Sequence, residues 1–305
     1  MQRVALLGAS GQLGTDLRQE LPPGSLELIS LSRTDFDIRN QDQASRVLTE
    51  LRPAVIVNTA AFHKVEACET DPDQAFAVNA SAVRNLAMVA ERLGARLVHM
   101  STDYVFDGEA TVPYSESMMP RPVNVYGTSK LAGEFFVRSL CSRHLVVRTS
   151  GLYGVAGSSG KGGNFVQTML RLGREEGAVS VVNDQVLTPT YTVDLARMIW
   201  RLVGEEANGL YHVTSAGSCS WYEFAKSIFQ LSGLSTAVRP IRTASLGAIV
   251  RRPAYSVLAK ARLISEGYDP LPEWTEGLKR YLEAARVAAN AKSTSTRIGA
   301  TYADR

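Results

Sequence analysis

The residues V-A-L-L-G-A-S-G-Q-L-G at positions 4–14 constrain the fold of this chain more than any other stretch. Four apolar residues, 4–7, read as a buried strand that runs straight into Gly8, Gly11 and Gly14. Leu13, Leu17 and Leu21 then recur on one face of a helix. A strand, a tight glycine turn and a bare helix N-terminus together make a seat for a pyrophosphate. The glycines let a ligand approach the backbone, and the helix end favours an anion. The spacing is G-x-x-G-x-x-G rather than G-x-G-x-x-G, but the physical logic is shared.

Beyond this helix the chain repeats the alternation of strand and helix. A second strand at 26–31 ends in Ser32-Arg33, where a dinucleotide with a free ribose 2′-hydroxyl would meet an acidic residue. Arginine at that place suits a 2′-phosphate, so NADPH is the expected cofactor, with NADH as the alternative. The bland reading of Arg33 is a surface charge. Asp37 and Ile38 come next in a polar loop and are candidates for the adenine edge. A helix at 44–51 is stopped by Pro53, and a strand at 55–57 leads into Asn58-Thr-Ala-Ala-Phe62. Small residues at a strand end let a flat cofactor lie against Ala60, Ala61 and Phe62; close packing of helix on sheet would use them equally well. A long helix is expected at 71–92, and its Asn79 receives no chemical role from the pattern.

The chemistry is expected between positions 98 and 130. The apolar run 97–100 reads as a buried strand that delivers Ser101, Thr102 and Asp103 to the sheet's carboxyl end, where open α/β sheets place their ligands. After Pro120 and Pro122, Tyr126 and Lys130 stand four apart on a helix and face the same way. A cation beside a phenol favours the phenolate, so Tyr126 is expected to titrate below a free tyrosine and to pass a proton near neutral pH. A Tyr and a Lys four apart also occur by chance on solvated helices. The strand-end Ser-Thr-Asp and the N-terminal glycine turn favour the reading as a site.

A further strand at 145–148 completes the first half, and alternating β and α with short links implies a Rossmann-type, doubly wound parallel sheet. From Val155 the character changes. The run 157–163 is rich in glycine but lacks the G-K-[S/T] ending of a phosphate loop, and reads as a linker or lid. We therefore divide the chain into a dinucleotide-binding domain at 1–154, a smaller α/β substrate-binding region at 155–285 and a tail at 286–305 expected to be disordered. Segments near 179–203 are expected to return to the first domain. Ser220 and Glu223 form a capping box ahead of a helix, and Trp274, Leu278 and Tyr281 mark a last helix.

Composition excludes several classes. With 33 basic against 30 acidic side chains and no basic block, nothing suggests nucleic acid or a membrane surface as partner. No run approaches the ~18 apolar residues of a membrane span, and the N-terminus has no signal-peptide core, so a cytoplasmic location is expected. The 3 cysteines and 4 histidines show neither a disulfide framework nor ligand spacing, so no metal site is expected.

At S-T-D-Y-V-F-D-G followed by Y-G-T-S-K-L-A-G-E the sequence resembles the extended short-chain dehydrogenases, and among them the dTDP-4-dehydrorhamnose reductases. The resemblance spans roughly 1–283 and includes N-T-A-A, A-V-N at 77–79, R-T-S at 148–150, and D-Q-x-x-x-P-T-Y-T-x-D-L-A at 184–196. It implies a catalytic triad of Thr102, Tyr126 and Lys130, with Thr102 and Asp103 near a sugar. It also implies Gly11, Gln12, Leu13, Arg33, Asp37, Ile38, Ala60, Ala61 and Phe62 along the cofactor, joined there by Tyr126 and Lys130. The implied activity is NAD(P)H-dependent reduction of the 4-keto group of a nucleotide-linked deoxysugar; a related epimerase and a non-catalytic dinucleotide-binding regulatory subunit are the alternatives. A homodimer is left open as the assembly. Two departures bear on the substrate: Gly151 replaces the family's tryptophan in R-T-S-W, and Leu187 replaces the glycine in D-Q-x-G-x-P-T. A third, Tyr255 for a more usual asparagine, is expected to offset the first by placing its ring beside Gly151 and Tyr126.

Overall fold

Residues of β1 (Gln2–Leu7) alternate between the two faces of a sheet: Val4 and Leu6 enter one apolar cluster, Ala5 and Leu7 another. Both faces are thus buried, as a parallel sheet requires. The computed structural model describes residues 1–302 apart from 25, 34, 36, 159–161 and 248–249, with side chains of the last helix described through 288. With β2 (Leu26–Leu31), β3 (Val55–Asn58), β4 (Arg96–Thr102), β5 (His144–Thr149) and β6 (Gly209–His212), the 6-stranded sheet has the order β6-β5-β4-β3-β1-β2. All its pairings are parallel. The chain leaves β1 in one direction to form β2 and returns on the other side to form β3. That reversal opens a crevice at the carboxyl ends of β1 and β3.

Helices cover both faces. On one side lie α1 (Gln12–Gln19) and, much later in the chain, α5 (Thr192–Gly204), where Leu195 and Ile199 pack against Val4, Leu6 and Leu17. The Trp200 indole donates to the Leu17 carbonyl at 2.9 Å. On the other side α2 (Gln41–Leu51), α3 (Ala82–Leu93) and α4 (Val125–Leu140) bury Leu48, Leu86 and Val137. The segment 179–203 therefore splits. Its helix packs on α1, whereas the strand Ala178–Val182 pairs with Ala237–Ile241 outside the main sheet.

A third apolar cluster gathers Tyr153, Val166, Phe224, Trp274 and Tyr281 over the carboxyl edge of the sheet. The expected capping box is formed: the Ser220 hydroxyl accepts from the Glu223 amide at 3.1 Å, and the Glu223 carboxylate accepts from the Ser220 amide at 2.7 Å. Arg280 of the last helix, α6 (Trp274–Tyr302), donates twice to Asp194 of α5 at 2.6 Å each, which ties the third cluster to the helix packed on the main sheet.

Three local expectations change. The strand read at 97–100 extends through Thr102, because serine and threonine carry the ladder as well as apolar residues do. The long helix read at 71–92 runs continuously from Pro72 to Leu93 but widens into a π turn at Ala77–Ser81, between Pro72–Phe76 and α3. Residues 286–302, expected to be disordered, continue α6 to Tyr302; their alanines, lysine and arginine favour a helix, whereas missing apolar periodicity argues only against packing. Positions 303–305 and 159–161 of the glycine-rich run lie outside the described residues.

The charged residues at the centre of this sheet are the costly ones. Arg148 of β5 is 1% exposed and donates to both oxygens of Glu134 on α4, at 2.8 and 2.6 Å, and Ser101 of β4 donates to the same carboxylate. Removing one partner of such a pair strands a charge in the core. Glu134→Ala is therefore expected to lower unfolding free energy by about 3–5 kcal/mol in chemical denaturation. A loss below about 1 kcal/mol would mean that the pair does not hold α4 to the sheet.

Candidate active site

The crevice widens into a cleft of about 1000 Å³ between the carboxyl edge of the sheet and the third apolar cluster. A smaller cavity of about 160 Å³ lies over the ends of β1 and β2. Gly8, Arg33, Asp37, Ile38, Ala60 and Phe62 line the smaller cavity, and Ala61 lines both. Gly11, Gln12, Leu13 and Gly14 line the larger one, as do Thr102, Asp103, Tyr126, Lys130 and Gly151.

The glycine turn fits an anionic dinucleotide. Gly8 has φ +77°, and a Cβ there would stand 2.7 Å from Thr59 Oγ1 and 2.9 Å from the Ala60 nitrogen, so only glycine lets β1 and β3 end side by side. The N-cap of α1 is Gly11, which offers no side-chain cap and so leaves the helix's first amides open to the cleft. At the far end the smaller cavity holds a second arginine, Arg39, which sequence reasoning missed. Its guanidinium is held by Asp37 at 2.8 and 3.0 Å and reaches Gln74 Oε1 at 2.9 Å. Gln12 is tied across the cleft: its Nε2 donates to the Leu152 carbonyl at 3.2 Å, and its Oε1 accepts from the Gly154 amide at 3.2 Å.

Asn79, to which the pattern assigned nothing, positions the loop after β3. The π turn aims its amide so that Oδ1 accepts from the Phe62 amide at 2.9 Å while Nδ2 donates to the Phe62 carbonyl at 2.9 Å and to Ser129 Oγ at 3.0 Å. One side chain thus joins the loop at 60–62 to α4. In the sequence it showed as a polar residue amid A-V-N-A, a block of the family resemblance to which no role was attached.

At the centre, Tyr126 and Lys130 project from α4, whose N-cap Asn124 accepts from the Gly127 amide at 2.8 Å. Thr102 donates to Asp103 Oδ1 at 3.0 Å, and Ser150 donates to Asp103 Oδ2 at 2.8 Å. Burial pushes the Asp103 carboxyl up, against hydrogen bonds from Ser256, Ser150 and Thr102. Burial likewise pushes the Tyr126 hydroxyl above the ordinary tyrosine range, with a Thr102 hydrogen bond acting the other way. This reverses the expected depression of Tyr126. The reason is the burial of the tyrosine itself, which disfavours the phenolate and is reinforced by Asp103; Lys130 is buried as well, and desolvation brings it down to about 8 despite the Glu134 carboxylate. Thr149, across the ladder from Thr102, also lines the cleft, and its buried hydroxyl has no hydrogen-bond partner within the described residues.

Tyr255 does not lie beside Gly151. It lines neither cavity and packs with Phe106, Tyr114 and Leu258, its ring 6.4 Å from that of Tyr114. The segment is extended, with Val186 bonding Ala254 and Ser256 at 2.8 Å each. Ser256 faces Asp103, so alternation turns Tyr255 to the opposite side. The space beside Gly151 belongs to Leu187. A Cβ on Gly151, whose φ is +56°, would stand 2.8 Å from Leu187 Cδ1. The two departures at 151 and 187 therefore meet in space.

A parallel sheet with a dinucleotide seat at its reversal, and Thr, Tyr and Lys side chains converging beside it, defines an extended short-chain dehydrogenase/reductase. The chain belongs to the dTDP-4-dehydrorhamnose reductase family: residues 1–287 match the family described as the RmlD substrate binding domain. It is 40% identical over 290 residues to the spore coat polysaccharide biosynthesis protein SpsK of Bacillus subtilis, covering 95% of this chain and 100% of that protein. With the dTDP-4-dehydrorhamnose reductase of Escherichia coli it shares 35% over 293 residues, covering 92% and 96%. Among solved structures it resembles the dTDP-4-dehydrorhamnose reductase of Bacillus anthracis in complex with NADP, with a TM-score of 0.89, 43% identity and coverage of 93% and 100%.

If Leu187 forms the wall beside Gly151, Leu187→Ala is expected to raise KM about 10-fold with kcat nearly kept, as expected for lost uniform binding, while Tyr255→Ala leaves KM unchanged. Steady-state kinetics of the two variants check this; an unchanged KM in Leu187→Ala removes Leu187 from the wall.

Proposed function

We propose that this protein reduces the 4-keto group of a dTDP-linked 6-deoxy sugar with NADPH, converting dTDP-4-dehydrorhamnose to dTDP-L-rhamnose. The convergence of Thr102, Asp103, Tyr126 and Lys130 in a cleft continuous with the glycine turn carries the reading. When bound, NADPH supplies the hydride that goes to the carbonyl carbon. Its 2′-phosphate fits the cavity with Arg33 and Arg39, and its diphosphate fits the open end of α1.

The chain's own groups then handle the oxygen. Thr102 turns its hydroxyl from Asp103 to the substrate carbonyl, and Asp103 is left to hold a neighbouring sugar hydroxyl. Burial keeps the proton on Tyr126 until negative charge builds on the substrate oxygen, which is basic enough to take it. Lys130 stabilises the phenolate left behind. Arg252 lines the cleft, pairs with Glu66 and donates to the Tyr104 hydroxyl at 3.3 Å, and suits the sugar nucleotide's diphosphate. Phe165 and Trp221, with ring centroids 4.5 Å apart, offer a face to the base. Water elimination would call for a second acid/base pair near the sugar, but the residue after Asp103 is a tyrosine pinned by Arg252. A cytoplasmic location and a homodimer accompany this reading, the latter open to sedimentation of the purified protein.

Purified protein is expected to oxidise NADPH on addition of dTDP-4-dehydrorhamnose; no oxidation at substrate saturation would overturn the assignment. Tyr126→Phe is expected to cut kcat by at least about 10²-fold with cofactor binding nearly intact, and wild-type turnover would remove Tyr126 as the acid. Arg33→Ala is expected to weaken NADPH by about 1.5–3 kcal/mol and NADH far less, by titration. Equal losses would show that the arginine does not read the 2′-phosphate.

A further inference from the structure

Beneath the site a chain of buried polar groups leads to Lys130, and its other members, Asn58 and His99, have no part in the ketone reduction. Asn58, His99 and Lys130 are 1%, 0% and 2% exposed. Asn58 Oδ1 accepts from the Ala60 amide at 3.1 Å, which fixes the orientation of its side chain. Its Nδ2 therefore faces His99 Nδ1, 3.3 Å away. An amide nitrogen only donates, so Nδ1 must be the unprotonated nitrogen of the ring. Burial, with Lys130 nearby, holds the imidazole neutral. The ring proton then sits on Nε2, which lies 3.5 Å from Lys130 Nζ. Such closeness needs a glycine on α4: a Cβ on Gly133 would stand 2.3 Å from the Asn79 carbonyl oxygen and 3.3 Å from His99 Nε2.

We propose that His99 is a positioning residue that donates a hydrogen bond from Nε2 to Lys130 and so favours the amine over the ammonium form of the lysine in the cofactor-free protein, through a chain of hydrogen bonds that begins at the Ala60 amide. The proposal deepens the reductase reading by naming how its lysine is set. An ammonium at Lys130 would meet the Nε2 hydrogen with its own. It could be accommodated only if the ring moved its proton to Nδ1, where it would oppose the Asn58 amide. Charging Lys130 thus costs a hydrogen bond at the end of β3, next to the residues that line both cavities. An anionic dinucleotide beside Lys130 meets that cost, so its binding draws a proton onto the lysine.

Other titratable groups face the pair. Glu134, on the same helix, is already engaged by Arg148 and Ser101 and acts to raise Lys130. Tyr126 stands one turn before Lys130 on the same helix. Asp103 and Tyr104 after β4, and Cys68 from the helix Val65–Thr70, act on Tyr126. Each would oppose a phenolate there and leaves the donor direction of His99 unchanged.

The test is made without substrate or cofactor, so its failure is separate from failure of the assigned reaction. In protein labelled at histidine, the His99 carbon and nitrogen shifts, assigned by their loss in His99→Phe, are expected to report the Nε2-protonated ring. In protein labelled at the lysine side-chain nitrogen, the Lys130 midpoint, assigned with Lys130→Met, is expected to rise by about one pH unit, a tenfold change, in His99→Phe. His99→Gln, which can accept from Asn58 and donate to Lys130, is expected to restore it. An Nδ1-protonated ring overturns the proposal, as does a midpoint that falls or stays in His99→Phe. Should that variant not fold, the ring proton in the wild-type protein decides alone.

Discussion

Everything at the carboxyl edge of the sheet depends on a carboxylate and a guanidinium placed where neither meets water. Glu134 and Arg148 are 0% and 1% exposed, and their two hydrogen bonds, with a third from Ser101, join α4 to β4 and β5. A buried pair is a poor source of stability, because desolvating two charges takes back most of what their attraction supplies. Its value here is geometric. Thr102 follows Ser101 directly and Lys130 lies one turn before Glu134, so a bidentate contact of fixed shape sets how far apart the strand-borne and helix-borne groups stand. A hydrophobic contact could hold the same elements together with more freedom to slide.

A second constraint acts from the other side of the crevice. Asn79 fixes the loop at Phe62 and reaches Ser129 on α4, while Asn58 fixes Ala60 and reaches His99. Two asparagines thus connect the dinucleotide-facing backbone to the helix and strand that carry the chemistry. Both are buried, and an amide is suited to the place because it donates and accepts at once without a charge to desolvate.

The relation between Gly151 and Leu187 shows how a departure in one place is answered elsewhere. At φ +56° with Leu187 Cδ1 in the way, position 151 excludes a side chain twice over, by backbone and by space. Sequence proximity gave no hint of the partner, since 36 residues separate the two (187 − 151). Tyr255 is the more conspicuous aromatic, yet the two-residue period of an extended chain sends it to the opposite face from Ser256.

What the sequence by itself determined was whatever depends on local periodicity and on glycine. The strand and glycine turn at 4–14, the S-T-D strand end and the i, i+4 pair of Tyr126 and Lys130 were legible because each is written within a few residues and its geometry follows from backbone dihedrals. Sheet order, the buried pair of Glu134 with Arg148, and the links from Asn58 and Asn79 were not, for each joins elements far apart in the chain. The tertiary structure also decided the acidity of the site. Neighbours four residues apart placed a cation beside a phenol, but only the packing of α4 against the sheet buried both, and burial raises the tyrosine and lowers the lysine whatever their spacing.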